Sequence, residues 1–145
     1  MSLTVKGQVD YWLRLSMDSL LDMRAAMRSG RRTNALFCGH LAVEKMLKAL
    51  CAVRCVPANQ IWGHNLLSLA HKANCQLTNP QVLELGVITG FNLAARYDDH
   101  KRAFAKICSI EYARKWIIVI ESWCKNLKQM IIAERSCLPN KTPAT

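Results

Sequence analysis

Between Val9 and Met27 the strongly apolar positions are Val9, Trp12, Leu13, Leu20, Met23 and Met27. They recur at steps of three and four, the period of one helical face. Ser16 leaves a polar gap in that stripe. Asp10 and Arg14 stand one turn apart on its outer side, an acid-first pair worth a few tenths of a kcal/mol. Ser29-Gly30 ends the pattern, because glycine accepts the left-handed conformation that helix C-termini favour. A second pattern follows, with Thr33 or Asn34 as the expected cap, and runs to about Arg54. Its apolar arc is broad and includes Ala35, Phe37, Leu41, Met46, Leu47, Leu50 and Val53. So wide an arc touches several neighbours, which predicts a central position. His40, Glu44, Lys45 and Lys48 interrupt it, and Glu44 and Lys48 are one turn apart and able to pair.

Pro57 and Gly63 mark a loop. Asn65 suits the cap of a short helix through roughly Lys72, and Asn79-Pro80 suits the start of another that carries Leu83, Val87, Phe91 and Ala94. Gly86 and Gly90 give that helix a smooth face that a second helix can approach closely. From Arg96 to about Lys106 the chain is a polar segment between two helical patterns. Ser109 is the expected cap of the last helix, whose stripe of Ala113, Trp116, Ile117, Ile120, Trp123, Cys124, Leu127 and Ile131 is the cleanest in the chain. Ile118, Val119 and Ile132 lie off the stripe and offer apolar surface to a second subunit. No stretch alternates as a strand does. These patterns predict an all-α, antiparallel up-and-down bundle of four main helices plus a short one. Residues 1–134 form the domain in this reading. Residues 135–145, polar and with two prolines, form a flexible tail.

Composition narrows the classes. A chain of 145 residues fits one domain, and 51% hydrophobic residues exclude disorder. A membrane span needs about 20 apolar residues, and runs such as Trp116 to Ile120 are far shorter. The N-terminal stretch lacks the basic start and apolar middle of a signal peptide. Seven cysteines, an odd number and mostly within helical patterns, read as reduced thiols of a cytoplasmic protein. Cys51 and Cys55 have no matching pair of ligands downstream, so neither a metal nor another cofactor is expected. The net charge of +10 suits an anionic partner, nucleic acid or acidic protein, and equally serves solubility. The densest basic places are Arg28-Ser29-Gly30-Arg31-Arg32 and Lys101-Arg102.

Candidate chemistry centres on Arg96-Tyr97-Asp98-Asp99-His100. A guanidinium can hold two phosphate oxygens at once, and a histidine can move a proton near neutral pH. The structural alternative ties Arg96 to Asp98 or Asp99 and leaves His100 as an exposed loop residue. Lys45 and Lys48 either face a phosphate or form a salt-bridged helix face. His64 reads as a helix-start residue and His40 as a hydrogen-bonded core or interface histidine. Trp12, Trp116 and Trp123 read as core, whereas Trp62 sits in a loop where it can stack on a base or a partner.

Three segments come in a telling order: "NALFCGHLAVEKMLKAL" from Asn34, "GHNLLSLA" from Gly63, and "AARYDD" from Ala94. Together they resemble the HEPN family, the higher eukaryotes and prokaryotes nucleotide-binding domain, over roughly Tyr11 to Leu127. The resemblance implies a helical bundle that is usually a homodimer. It implies a minimal nucleotidyltransferase as partner in a toxin–antitoxin or related pair. Some members are metal-independent endoribonucleases in which an arginine and a histidine meet their twins across the dimer interface. By that likeness Arg96 and His100 form the catalytic pair. Lys45, Lys48, Arg96, Tyr97 and Asp98 then contact nucleotide or RNA. Here three residues separate Arg96 from His100, a shorter spacing than the nuclease motif has, and Tyr97 follows the arginine where that motif is usually polar.

Overall fold

The computed structural model describes residues 3–139. Six α-helices account for most of them: α1 (Val5–Arg28), α2 (Arg32–Val53), α3 (Leu66–Lys72), α4 (Asn79–Arg96), α5 (Asp98–Ile107) and α6 (Ile110–Arg135). No strand occurs among the described residues, so the all-α bundle stands. No helix there is long and apolar enough to cross a membrane. Helix α6 runs to Arg135, and of the tail expected beyond it residues 140–145 lie outside the described range.

The broad apolar arc of α2 does what its width predicts. This helix packs against α1, α3, α4, α5 and α6. Leu36, Met46, Leu47 and Leu50 are fully buried, together with Met23 of α1, Leu69 of α3, Ile88 of α4 and Ile120 of α6. The polar gap at Ser16 has its own reason: the buried hydroxyl donates to the carbonyl of Ala42 at 2.8 Å and ties α1 to α2. Asp10 does not pair with Arg14 as spacing suggested. It takes Arg135 at the far end of α6, and Arg14 lies over the Tyr11 ring.

Helix ends follow local chemistry. Gly30, at φ +79°, closes α1, and the left-handed Cys55 and Asn74 do the same beyond α2 and α3. Asn65 caps α3 through the amide of Ser68, and Ser109 caps α6 through that of Tyr112. Helix α4 opens with a capping box in which Thr78 and Gln81 satisfy each other's backbone amides. Helix α2 departs from expectation. It starts at Arg32, before Thr33 and Asn34, with Arg31 in the cap position and no side-chain acceptor on its first amides.

Two further departures concern packing. The close approach expected at Gly86 and Gly90 is absent; a methyl group at either meets nothing within 4 Å. The tight contact falls at Gly39 of α2, where an added Cβ would lie 2.5 Å from Cδ1 of Ile120 and 3.0 Å from Sδ of Met23. The polar segment after Arg96 is a sixth helix, α5, with Phe104 as its buried residue. The Phe104 ring sits 5.4 Å from Phe91 and 6.2 Å from Tyr112, which docks α5 onto α4 and α6.

Candidate functional site

A helix leaves its first amide donors without intrahelical acceptors, and its dipole adds partial positive charge there. At α2 these donors belong to Arg32, Thr33 and Asn34, and no side chain caps them. Gly30 turns the chain so that this helix start stands beside the end of α4 and one face of α5. Thr33, Asn34 and Phe37 of α2, Ala94, Ala95 and Arg96 of α4, and Lys101, Arg102, Phe104 and Ala105 of α5 line a cavity of about 530 Å³. Alanine and phenylalanine form its walls, three cations stand at it, and no carboxylate lines it. Such a cleft suits an anion with an apolar or flat portion.

Arg96 thus lines the same cavity as Thr33 and Asn34 of the α2 start. It is the last residue of α4, is exposed, and makes no hydrogen bond or ion pair among the described residues. The tie to Asp98 or Asp99 is not formed. Those two carboxylates occupy the first turn of α5, where the helix dipole favours them. Tyr97 is extended between the two helices and half exposed, and its ring meets that of His100 edge-on at 5.9 Å. His100 is exposed and does not line the cavity. Of the residues singled out from the sequence, the cleft collects Arg96 together with Lys101 and Arg102. Lys101 and Arg102 were legible only as a basic pair, since their nearness to the start of α2 is a product of the fold.

Lys45 and Lys48 belong elsewhere. Lys48 is buried and donates to Oε2 of Glu44 at 3.1 Å, with its ammonium 5.1 Å from the Trp12 ring. Lys45 reaches the hydroxyl of Ser19 at 3.4 Å. Both lysines turn toward α1 rather than toward an open phosphate site, because their side of α2 is covered by that helix.

Glu44 is the centre of a second polar group. Its Oε1 takes a hydrogen bond from Nδ1 of His64 at 2.6 Å, while Oε2 takes Lys48. His40, fully buried, donates from Nε2 to the His64 carbonyl at 3.0 Å, which fixes its proton on that nitrogen. Its Nδ1 has no partner among the described residues. Burial pushes the His40 pKa below its ordinary value, against the upward pull of the His64 carbonyl and Glu44. His64 is therefore more than a helix start. With Gly63 at φ +97° it pins the loop before α3 to α2. No spacing rule flagged this tether, because its two ends lie in different elements.

A cavity of about 570 Å³ between α4 and α6 has its strongest polar groups already committed. Arg54 holds both oxygens of Glu134 and the Ala73 carbonyl, and the Trp123 indole donates to Glu84 at 2.7 Å. Trp116 and Trp123 are core as expected, and Trp12 packs half-buried against it. Trp62 is 66% exposed, with the Lys72 ammonium 4.1 Å from its ring. Burial raises the thiols of Cys51 to about 11 and Cys124 to about 12, so both stay protonated at neutral pH.

Comparison with known proteins adds one positive finding: the model of the HEPN domain matches residues 9–129. Neither a curated protein nor a solved structure matches the chain. The matched span covers all of α2 to α5, both sides of the Arg96 cleft and the Glu44 group, and on it the chain belongs to the HEPN domain family.

Proposed function

We propose that this HEPN protein holds a phosphate-bearing ligand, a nucleotide or a stretch of RNA, in the Arg96 cleft. It does so as the partner of a minimal nucleotidyltransferase in a toxin–antitoxin-like pair. The observation that carries the reading is the convergence of Arg96, Lys101 and Arg102 on the uncapped start of α2. The cavity volume lies within the range of roughly 300–1,000 Å³ usual for small-ligand sites. A homodimer is part of the proposal. Leu83 on α4 and Ile118 on α6 are each about 70% exposed, and such apolar side chains favour a protein neighbour. Titration with a fluorescent adenine or guanine nucleotide tests the ligand. Binding by the wild type that Arg96→Ala weakens at least tenfold supports the reading, and no binding by the wild type rejects it. Co-expression with the adjoining nucleotidyltransferase, where the gene neighbourhood holds one, tests the partner by co-purification.

One observation favours a second reading, the metal-independent endoribonuclease. Arg96 and His100 are both exposed and make no side-chain hydrogen bond or ion pair among the described residues, as groups must be if they are to meet a partner's copies. In that reaction the imidazole of His100 takes the proton of a 2′-hydroxyl. The freed oxygen attacks phosphorus to close a cyclic phosphate, and the 5′-oxygen departs with a proton from the second subunit's imidazolium. Two guanidinium groups balance the developing charge. Expression of the wild type and of His100→Ala, with RNA integrity followed, tests it. Equal behaviour without cleavage removes the enzyme, and sedimentation as a monomer removes the composite site.

A further inference from the structure

We infer that the cavity between α4 and α6 is a second ligand site, which takes a small amine with an apolar body on the carboxylate of Glu84. This site is separate from the Arg96 cleft and independent of the ligand proposed there. Glu84 precedes Arg96 on α4 by about 18 Å along the helix axis. Arg54 is the one cation at the cavity wall among the described residues, and its fork is spent on both oxygens of Glu134 and on the Ala73 carbonyl. Glu84 is half-buried and takes the Trp123 indole N–H on Oε2 at 2.7 Å. No lysine, arginine or histidine pairs with it among the described residues, although the chain carries 20 lysines and arginines. The cavity therefore has one unbalanced charge, and it is negative in a chain whose net charge is +10.

A carboxylate partly withdrawn from water gains by receiving a cation, and an anion finds no free counter-charge here. The body of the ligand follows from the walls. Leu77 comes from the loop before α4, and Val119, Leu127 and Met130 come from α6. The Trp123 ring joins them with its N–H already satisfied, and an indole is the side chain that best attracts a cation. The volume of about 570 Å³ lies within the roughly 300–1,000 Å³ usual for small-ligand sites. A neutral apolar molecule would leave Glu84 without a cation, and a bare polyamine would leave the walls unfilled. Ile118, offered above to a second subunit, also lines the cavity, so the protein is titrated in the assembly state that sedimentation finds.

The test is isothermal titration calorimetry with phenethylamine. Phenethyl alcohol supplies the same body without charge, hydrocinnamate the opposite charge, and putrescine the charge without an apolar body. The wild type is expected to bind phenethylamine roughly tenfold more tightly than any of the three, as a charge-assisted contact gives. Glu84→Gln keeps an acceptor for the Trp123 indole. It should melt with the wild type, bind the alcohol within about twofold of it, and lose the preference for the amine. Ser122→Trp fills the cavity from an exposed position on α6 and should abolish binding of amine and alcohol alike. A wild type that binds no amine overturns the inference, as does one that binds the alcohol or hydrocinnamate equally well. A Glu84→Gln protein with its amine affinity intact overturns the role of the carboxylate. An amine that Ser122→Trp still binds as the wild type does lies elsewhere, and the site is then rejected.

Discussion

Two histidine-bearing polar groups stand on opposite terms with the rest of this molecule. Around Glu44 the polar side chains are tied within the group: Lys48 on one oxygen, His64 on the other, His40 on the His64 backbone. Arg96 makes no ion pair among the described residues, though Asp98 and Asp99 follow it at two and three positions. The difference is burial. A carboxylate 3% exposed cannot remain ionised without partners, so the fold has supplied them. An exposed guanidinium is solvated already and stays available to a ligand. Residue types alone do not separate the two groups. Glu44, Lys48 and His64 look as reactive in the sequence as Arg96 and His100.

The largest expected effect tests the tied group. Glu44→Ala strands a buried lysine and unhooks the His64 loop, and should cost about 3–5 kcal/mol in urea unfolding. Pairing Glu44→Gln with Lys48→Met removes both charges and should recover most of that loss. Recovery would show that the pair is kept for placing the loop rather than for stability. A Glu44→Ala protein as stable as the wild type would mean that water already reaches this carboxylate.

The same contrast between closed and open surface runs through the glycines. Gly39→Ala puts a methyl group 2.5 Å from Ile120 and 3.0 Å from Met23. Overpacking of this kind costs about 1–3 kcal/mol, more than the roughly 1 kcal/mol that alanine gains over glycine within a helix. Gly90→Ala meets open space and should stabilise by about 0.5–1 kcal/mol. Thermal melts of the two variants should therefore move in opposite directions. Loss of self-association in Gly90→Ala would instead mark that open face as a subunit contact.

Which parts of this were legible follows from how each signal is carried. Five helices were readable because their apolar residues repeat every three or four positions. Helix α5 was not, since Phe104 alone of its ten residues is buried and one anchor makes no stripe. The smooth face at Gly86 and Gly90 was real, yet the close contact belongs to Gly39, because the rotation of a helix against its neighbours is a tertiary choice. Ser16 looked like a fault in α1 until its acceptor, the Ala42 carbonyl, was in view. The cleft stayed hidden for the same reason. Its two sides, Thr33-Asn34 and Lys101-Arg102, are neighbours only after α5 folds back beside the start of α2.

The tied group should also answer to pH. Burial holds His40 below its ordinary pKa, so the unfolded chain binds its proton more readily than the folded one. Its contribution to stability is then fully present above the unfolded value of about 6.5 and is lost as pH falls through the lower folded value. The slope from one such group cannot exceed about 1.4 kcal/mol per pH unit. Glu44 faces this ring and favours its charged form, whereas His64 and Lys45 oppose it. Urea midpoints from pH 7.5 down to 5 should fall in the wild type and flatten in His40→Gln. An unchanged profile in the variant would assign the acid lability to another group.

The smallest expected effect on stability is the most informative about function. Arg96 is exposed, makes no hydrogen bond among the described residues, and closes α4 with a positive charge where the helix dipole is negative. Its removal forfeits only that dipole contact, about 0.3–1 kcal/mol. If Arg96→Ala melts within a degree or two of the wild type yet loses its anionic ligand, the guanidinium serves the ligand alone. If the variant is instead destabilised by several kcal/mol, Arg96 is holding α4 and α5 together through contacts that form in solution. The difference between the two groups would then be one of degree, and the case for a phosphate-binding cleft would have to rest on Lys101, Arg102 and the open start of α2.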